Sequence, residues 1–300
     1  LSDHSQDHML DRALRQGEAY QFLSAVYLQG LTPALYAQAA DIPVLLPLLS
    51  RLDDANHAAA EYEELFGFNV FPYAGVFLTE DGQLGGRFTH DLKVKYDRWN
   101  YQPSTDVAPD HLGCMLAYLA YLSDVEARAL SHGDKAGLHR VQAEQHTFLV
   151  QYIISWLPVF IHALTLHGQL FYAEIADLTE ALIISHLQEL ADHVQPEPGE
   201  HEIEVFFKPP DILGDEKTGI KDIAAYFMRS AKSGVFLSRK DVRFAGNLLN
   251  LPAGFGDRTL MLSNAFQSAI NFGEVIPFID HLMDLVTSFR DYYVTLKRTD

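Results

Sequence analysis

The sequence predicts an all-α protein. Apolar residues recur at three- and four-residue steps over long stretches, alternating apolar and polar runs are scarce, and Pro/Gly-rich breaks separate the periodic segments. Taken in order, residues 11–28 and 55–66 read as helices. Between His111 and Leu130, the residues Leu112, Met115, Leu116, Leu119 and Leu122 form one apolar stripe. Phe148 to Leu166 is almost wholly apolar but contains Gln151, Ser155, Pro158 and His162, and no Lys or Arg lies near either end. A membrane-spanning helix would be cleaner and flanked by cations, so this segment reads as a helix buried on all sides, with no stable membrane insertion. From Leu178 to Val194, Leu178, Leu182, Ile183, Leu187 and Leu190 line one face, while Glu180, Gln188, Glu189 and Asp192 fill the other. Ile203–Phe207 is the one plausible short strand.

Punctuation divides the chain. Val194–Glu200 and Lys208–Gly219 are Pro/Gly-rich, which sets a boundary near residue 200, with a core over 1–200 and a helical extension over 201–300 that can pack on it. Three further helices are signalled in the extension. Ser238 caps one, with Asp241 in a capping-box position; Asp257 caps a second, which Gly273 ends in a left-handed turn; the third runs from about Val275 towards Tyr293.

Charge follows the same division. The chain has 22 Lys and Arg against 40 Asp and Glu; residues 1–200 carry a net −17 and residues 201–300 a net −1. Phosphate is repelled by such a field, so nucleic acid is not an expected partner, whereas a cationic peptide is attracted; the acidity also serves solubility alone. The single cysteine, Cys114, excludes an intramolecular disulfide and a four-cysteine zinc site. The acidic, polar first residues do not form an export signal, and the chain is expected to be cytoplasmic.

The search for catalytic chemistry is mostly negative. None of the fourteen histidines lies in His-Glu-x-x-His or has a Glu three residues before it. His146, His162 and His167 read as core or helix-end residues. Gly82–Gly86 and Gly254–Gly256 lack the rest of any phosphate loop, and no Gly-x-Ser-x-Gly elbow is present. Cys114 reads as a buried, inert thiol. No metal and no cofactor is expected, and no enzymatic activity.

Two clusters remain. Glu61-Tyr-Glu-Glu-Leu-Phe66 is followed by the aromatic, proline-stiffened Phe71–Asp81, in which Tyr73 and Phe77 line one side of a groove if the segment is helical, or else fill the core. Ala108-Pro-Asp-His-Leu-Gly113 heads an amphipathic helix. There Asp110 reads as the N-cap and His111 as a first-turn residue, oddly placed for a cation because the helix dipole disfavours positive charge at that end.

Glu61-Tyr-x-x-Leu-Phe66, Pro72-Tyr-x-x-Val-Phe77 and Pro109-Asp-His-Leu-Gly113, followed by Trp156-Leu-Pro158 and Phe171-Tyr172, resemble the TorD/DmsD/NarJ family over about residues 10–195. The resemblance implies an all-helical, cytoplasmic chaperone without enzymatic activity. Such a chaperone holds the apo catalytic subunit of a molybdenum-cofactor oxidoreductase, often through its twin-arginine signal peptide, until cofactor is inserted. The family often has Ser where this chain has Gly75, and it assigns residues 201–300 no role. The client site expected from this reading comprises Glu61, Tyr62, Phe66, Pro72, Tyr73, Phe77, Pro109, Asp110 and His111. Glu61 and Asp110 would face arginines, the aromatics would line a groove, and His111 would orient Asp110 or meet the peptide backbone. Two alternatives stand beside it: a helical hydrolase or nucleotide-dependent enzyme using Asp110 and His111 as an acid–base pair, and a structural subunit acting through 201–300. A homodimer by helix exchange is also open. Asp110→Ala with His111→Ala is expected to abolish client pull-down while leaving the helical fold intact.

Overall fold

The computed structural model describes residues 3–52, 55–79, 86–103, 107–191, 212, 214–252 and 254–297. The boundary near residue 200, the strand over 203–207 and most of the Gly82–Gly86 turn lie outside them. Among the described residues there are fifteen α-helices and no strand beyond one isolated bridge.

Helix α1 (Asp3–Gln29) ends at Gly30, whose φ of 67° only glycine adopts at little cost. Thr32 then caps α2 (Pro33–Ala40) through its hydroxyl, a Thr-Pro start signal, and α3 (Leu46–Leu49) follows. The segment expected to be one helix over 55–66 is α4 (Ala55–Tyr62) continued by a π-helical stretch over Glu63–Asn69. The wider winding is closed by Val70 N–H on the Leu65 carbonyl (2.7 Å) and by the Asn69 amide on the Glu64 carbonyl (2.6 Å). Beyond the short α5 (Ala74–Leu78) and α6 (Arg87–Arg98) comes α7 (Leu112–His132).

α7 lies antiparallel along α1: Gln6 reaches the Leu130 carbonyl, Arg12 pairs with Glu126, and the Ser24 hydroxyl donates to the Gly113 carbonyl at 2.7 Å. Gly113 makes that last approach possible, since a Cβ there would stand 2.5 Å from Leu28 Cγ and 2.9 Å from the Ser24 carbonyl.

The apolar segment expected to be one buried helix is broken. Helix α8 (Lys135–Phe148) runs into a π-helical stretch (Leu149–Ile153) and a turn, and α9 (Leu157–Leu166) restarts with Pro158 in its first turn, bent by 54° from what precedes it. A proline has no N–H to continue the ladder, so the break belongs at Ser155-Trp156. Trp156, Phe160 and Ile161 are buried, while Ser155 and Leu166 are exposed, so burial is on one side only. Among the described residues no single helix is long and apolar enough to cross a membrane; this bent pair passes that test jointly, with much of its apolar surface in the core. Helix α10 (Leu170–Ala191) completes the first set.

The remaining helices are α11 (Ile220–Phe227), α12 (Ser230–Ser233), α13 (Arg239–Leu248), α14 (Arg258–Phe272) and α15 (Val275–Leu296). The caps expected at Ser238/Asp241 and Asp257 are formed, and Gly273 closes α14 at φ 76°. These helices bury a second apolar cluster around Val242, Met261, Leu262 and Phe278. They also enter the first: Phe236 stacks at 5.0 Å on Phe77, and Phe289 meets His162 edge-on at 4.5 Å. Removing everything beyond residue 200 would therefore uncover core rings.

The α1–α7 crossing carries a direct test. Gly113→Ala should lower the urea midpoint of unfolding by an amount equivalent to about 1–3 kcal/mol, as overpacking does, although alanine favours helix.

Candidate functional site

The two clusters singled out in the sequence meet. Residues 72–74 and 110–112 run past each other as an antiparallel bridge at Tyr73 and His111. Leu112 N–H donates to the Pro72 carbonyl (2.7 Å) and Ala74 N–H to the Asp110 carbonyl (2.9 Å). Tyr73 and His111 are thus the non-hydrogen-bonded pair, whose side chains approach most closely, and their rings meet edge to face at 4.8 Å.

The bridge joins two helix starts. At the head of α5, Ala74 N–H is taken by the Asp110 carbonyl and Gly75 N–H by Asp110 Oδ2 at 3.1 Å. Asp110 therefore caps α5 from a distant stretch of chain. It is not the cap of α7, as expected; that is His111, whose Nδ1 accepts the Gly113 N–H at 3.0 Å. The anomaly of a cation at a helix N-terminus disappears, because burial holds the imidazole neutral by lowering its pKa to about 4. The Gly75 departure from the family pattern costs no bond here, because Gly75 contributes its backbone N–H.

Burial decides what these groups can reach. Asp110 has 0% of its surface exposed and His111 5%. Desolvation raises the carboxyl pKa, partly offset by the Gly75 N–H, and the Thr89 hydroxyl stands nearby without closing a bond to the unpartnered Oδ1. An arginine on a passing peptide cannot reach that carboxylate, and the Asp-His pair, sealed and already hydrogen-bonded, is not set up for acid–base work on a substrate. The expectation that Asp110 faces arginines is corrected, as is the expectation that the double alanine variant keeps the fold: it would strip the caps of two helices. Cys114 is buried beside the pair, its thiol pushed up to about 12, in keeping with an inert role.

The other expected residues divide in the same way. Phe77 is core, stacked between Trp156 (5.4 Å) and Phe236 (5.0 Å), and does not line a groove with Tyr73. Phe66 is buried against Tyr27 and Tyr172, Pro72 is buried, and the half-buried Pro109 offers its carbonyl to the Tyr96 hydroxyl. Glu61, Tyr62 and Tyr73 keep solvent access. Tyr62 lies across Gly30, where a Cβ would stand 3.1 Å from its ring, donates to the Tyr27 carbonyl (2.7 Å), and has Tyr73 as an electrostatic neighbour. Glu63 and Glu64 are exposed beside them, and Glu64 is paired with Lys240 of α13 at 2.8 Å.

Sequence reading missed an open groove of about 930 Å³ between α1, α2 and α10. Phe22, Leu35, Ile42, Leu178 and Leu182 line it, with Glu18, Gln21 and Gln38 among them. Gln29 and Thr32, on either side of Gly30, also line it, and Tyr62 packs against Gly30. The Thr32-Pro33 start signal was legible, and would have placed α2 there.

Residues 31–162 match the family model described as nitrate reductase delta subunit. The chain is also similar to proteins named chaperone protein TorD. One, from Vibrio vulnificus (strain YJ016), is 30% identical over 133 residues, 40% of this chain and 58% of the relative. Another, from Vibrio cholerae serotype O1 (strain ATCC 39541 / Classical Ogawa 395 / O395), is 29% identical over 140 residues, 42% of this chain and 60% of the relative. Over those residues the chain is similar to TorD chaperones. It spans about three fifths of the length of the curated relatives it matches. No solved structure gives a significant match. The matched residues hold both halves of the bridge, whereas α1 and α10, which line the groove, and the extension beyond lie outside the family model.

The neutral caps predict a pH dependence. His111 (about 4) and the buried His186 (about 3) have folded pKa values below the unfolded 6.5, so they bind protons more readily when unfolded. Their contribution is present above pH 6.5 and is lost as pH falls towards 4 and 3; Asp110, shifted upward, works in the opposite sense. Replacing His111 by Asn keeps a capping acceptor without a titrating ring. Between about pH 7.5 and about pH 5, wild type should lose about 2 kcal/mol more stability than His111→Asn, read from urea unfolding.

Proposed function

We propose that this protein is a non-enzymatic, system-specific chaperone in the cytoplasm. Its client is the apo catalytic subunit of a molybdenum-cofactor oxidoreductase, engaged through a twin-arginine signal peptide or a similar cationic–apolar segment. Two features carry the reading: the open, largely apolar groove between α1, α2 and α10, and the solvent access of Glu61, Tyr62, Glu63 and Tyr73 on the chain that packs against Gly30. A client of this kind presents arginines followed by an apolar stretch. Glu61 and Glu63 are open to cations, Tyr62 and Tyr73 offer ring faces and hydroxyls, and the groove between α1, α2 and α10 takes the apolar part as a short helix or extended segment. Pro72, Phe66, Phe77, Pro109, Asp110 and His111 serve the client site from beneath, by fixing the position of Tyr73. The similarity to chaperones named TorD supports the same class of role.

Exposed charge pairs contribute less than about 1 kcal/mol each, so groove burial supplies most of the affinity and the net −17 mainly speeds encounter. Two surface variants separate these terms, and both spare the core. Glu61→Lys with Glu63→Lys should slow capture of a twin-arginine peptide and weaken it by about tenfold, with the loss shrinking at high salt. Ala181→Trp, which fills the groove from an exposed position, should reduce pull-down of the apo subunit by a larger factor at any salt. Unchanged capture by both folded variants would overturn the reading.

A further inference from the structure

Among the described residues nothing covers the outer face of α15, and that face is patterned. Phe278, Leu282 and Phe289 hold the helix to the protein on its inner side. On the opposite side, Ile276, Asp280, Met283, Thr287, Arg290, Val294 and Lys297 follow one another at steps of four and three. They form a seam along one face of the helix, apolar at Ile276, Met283 and Val294 and charged at Asp280, Arg290 and Lys297. Its apolar members are open to solvent: Ile276 is 73% exposed, Met283 57% and Val294 44%, with Ile279 at 43% on the flank.

We propose that this face is the two-fold interface between two copies of the chain, with the two α15 helices packed antiparallel. The seam complements itself only in that sense. In the fully overlapped antiparallel register, Ile276 lies opposite Val294 of the second copy, Met283 opposite Thr287, and Asp280 opposite Arg290. The two-fold axis repeats each pair. A parallel arrangement would set Asp280 on Asp280 and Arg290 on Arg290, and like charges facing each other are unfavourable. Among the described residues, Arg290 is ion-paired with the adjacent, exposed Asp291, at 2.9 Å.

Shape agrees with charge. An open groove of about 340 Å³ runs beside the carboxy-terminal half of the helix, lined by Val235, Val286, Phe289, Tyr293 and Val294. The antiparallel register delivers Ile276 of the second copy to Val294, at the edge of this groove. The most exposed apolar side chain of the helix is thereby matched with the apolar hollow beside it. No helix changes place between copies, so each copy keeps its own fold. At roughly 33 Å the contact is short, which sets dimerisation in the micromolar range rather than tighter.

Sedimentation equilibrium of the full chain between about 1 and about 100 µM tests this. Wild type should pass from monomer to dimer. Asp280→Arg and Arg290→Asp should each raise the dissociation constant at least tenfold, as should Ile276→Ser. Combining Asp280→Arg with Arg290→Asp should restore most of the wild-type value, because the swapped charges again face opposite partners. All three positions are exposed, and unchanged helical circular dichroism confirms the fold of each variant. A chain that stays monomeric over the whole range, a dimer indifferent to the three single changes, or a double swap that fails to rescue would each overturn the proposal.

Discussion

The antiparallel crossing of Pro72–Gly75 with Asp110–Gly113 is the constraint on which the rest depends. Two helices with their amino ends buried must each find acceptors for backbone N–H groups that water cannot serve. One four-residue stretch supplies both: Asp110 caps α5 with its carbonyl and carboxylate, and His111 caps α7 with its ring. Gly113, one residue into α7, then permits the close approach to α1 that aligns the longest helix pair. Each residue of Asp-His-Leu-Gly thus has a different partner element, Leu112 donating to the Pro72 carbonyl and being fully buried. A cluster of unusual residues in a sequence motif need not mean contact with a ligand; here four constraints converge on consecutive positions.

This explains why the fold was more legible than the site. Periodic apolar residues mark α7 and α10 because one face of each is buried along its length, and Ser238, Asp257 and Gly273 mark boundaries because capping chemistry is local. The break before α9 was underread: composition argued for continuous burial, whereas Pro158 decided the geometry. At the site, sequence could show that Asp110 and His111 were unusual, but not whether they faced outward. That depended on their pairing with residues about 35 positions away, which no local pattern encodes. The groove was invisible for the same reason, being formed by α10 lying near α1 and α2.

Burial also separates two roles that the motif mixes. Phe66, Phe77 and Phe160 form part of an aromatic core that continues through Trp156 to Phe236, so a ring lost there costs packing everywhere along it. Glu61, Tyr62 and Tyr73 stand on that core with solvent access. A binding surface built in this way has rigid positions and adaptable chemistry: the Tyr73–His111 bridge fixes where Tyr73 sits, while the exposed carboxylates can differ without disturbing the fold beneath.

The extension is not an independent appendage, and its charge shows how it bears on the proposed client surface. Phe236 covers Phe77, and Lys240 reaches back to Glu64, adjacent in sequence to Glu63. Both partners of that ion pair are about half exposed, at 48% and 49%, so the pair is worth less than about 1 kcal/mol. A planar guanidinium binds a carboxylate through two hydrogen bonds where an ammonium presents a point charge, so an arginine arriving at Glu64 can displace Lys240 at little cost. A lone lysine cannot do so with the same advantage. The preference for arginine over lysine would thus come from the carboxylate of Glu64, while Lys240 competes with either cation to the same extent.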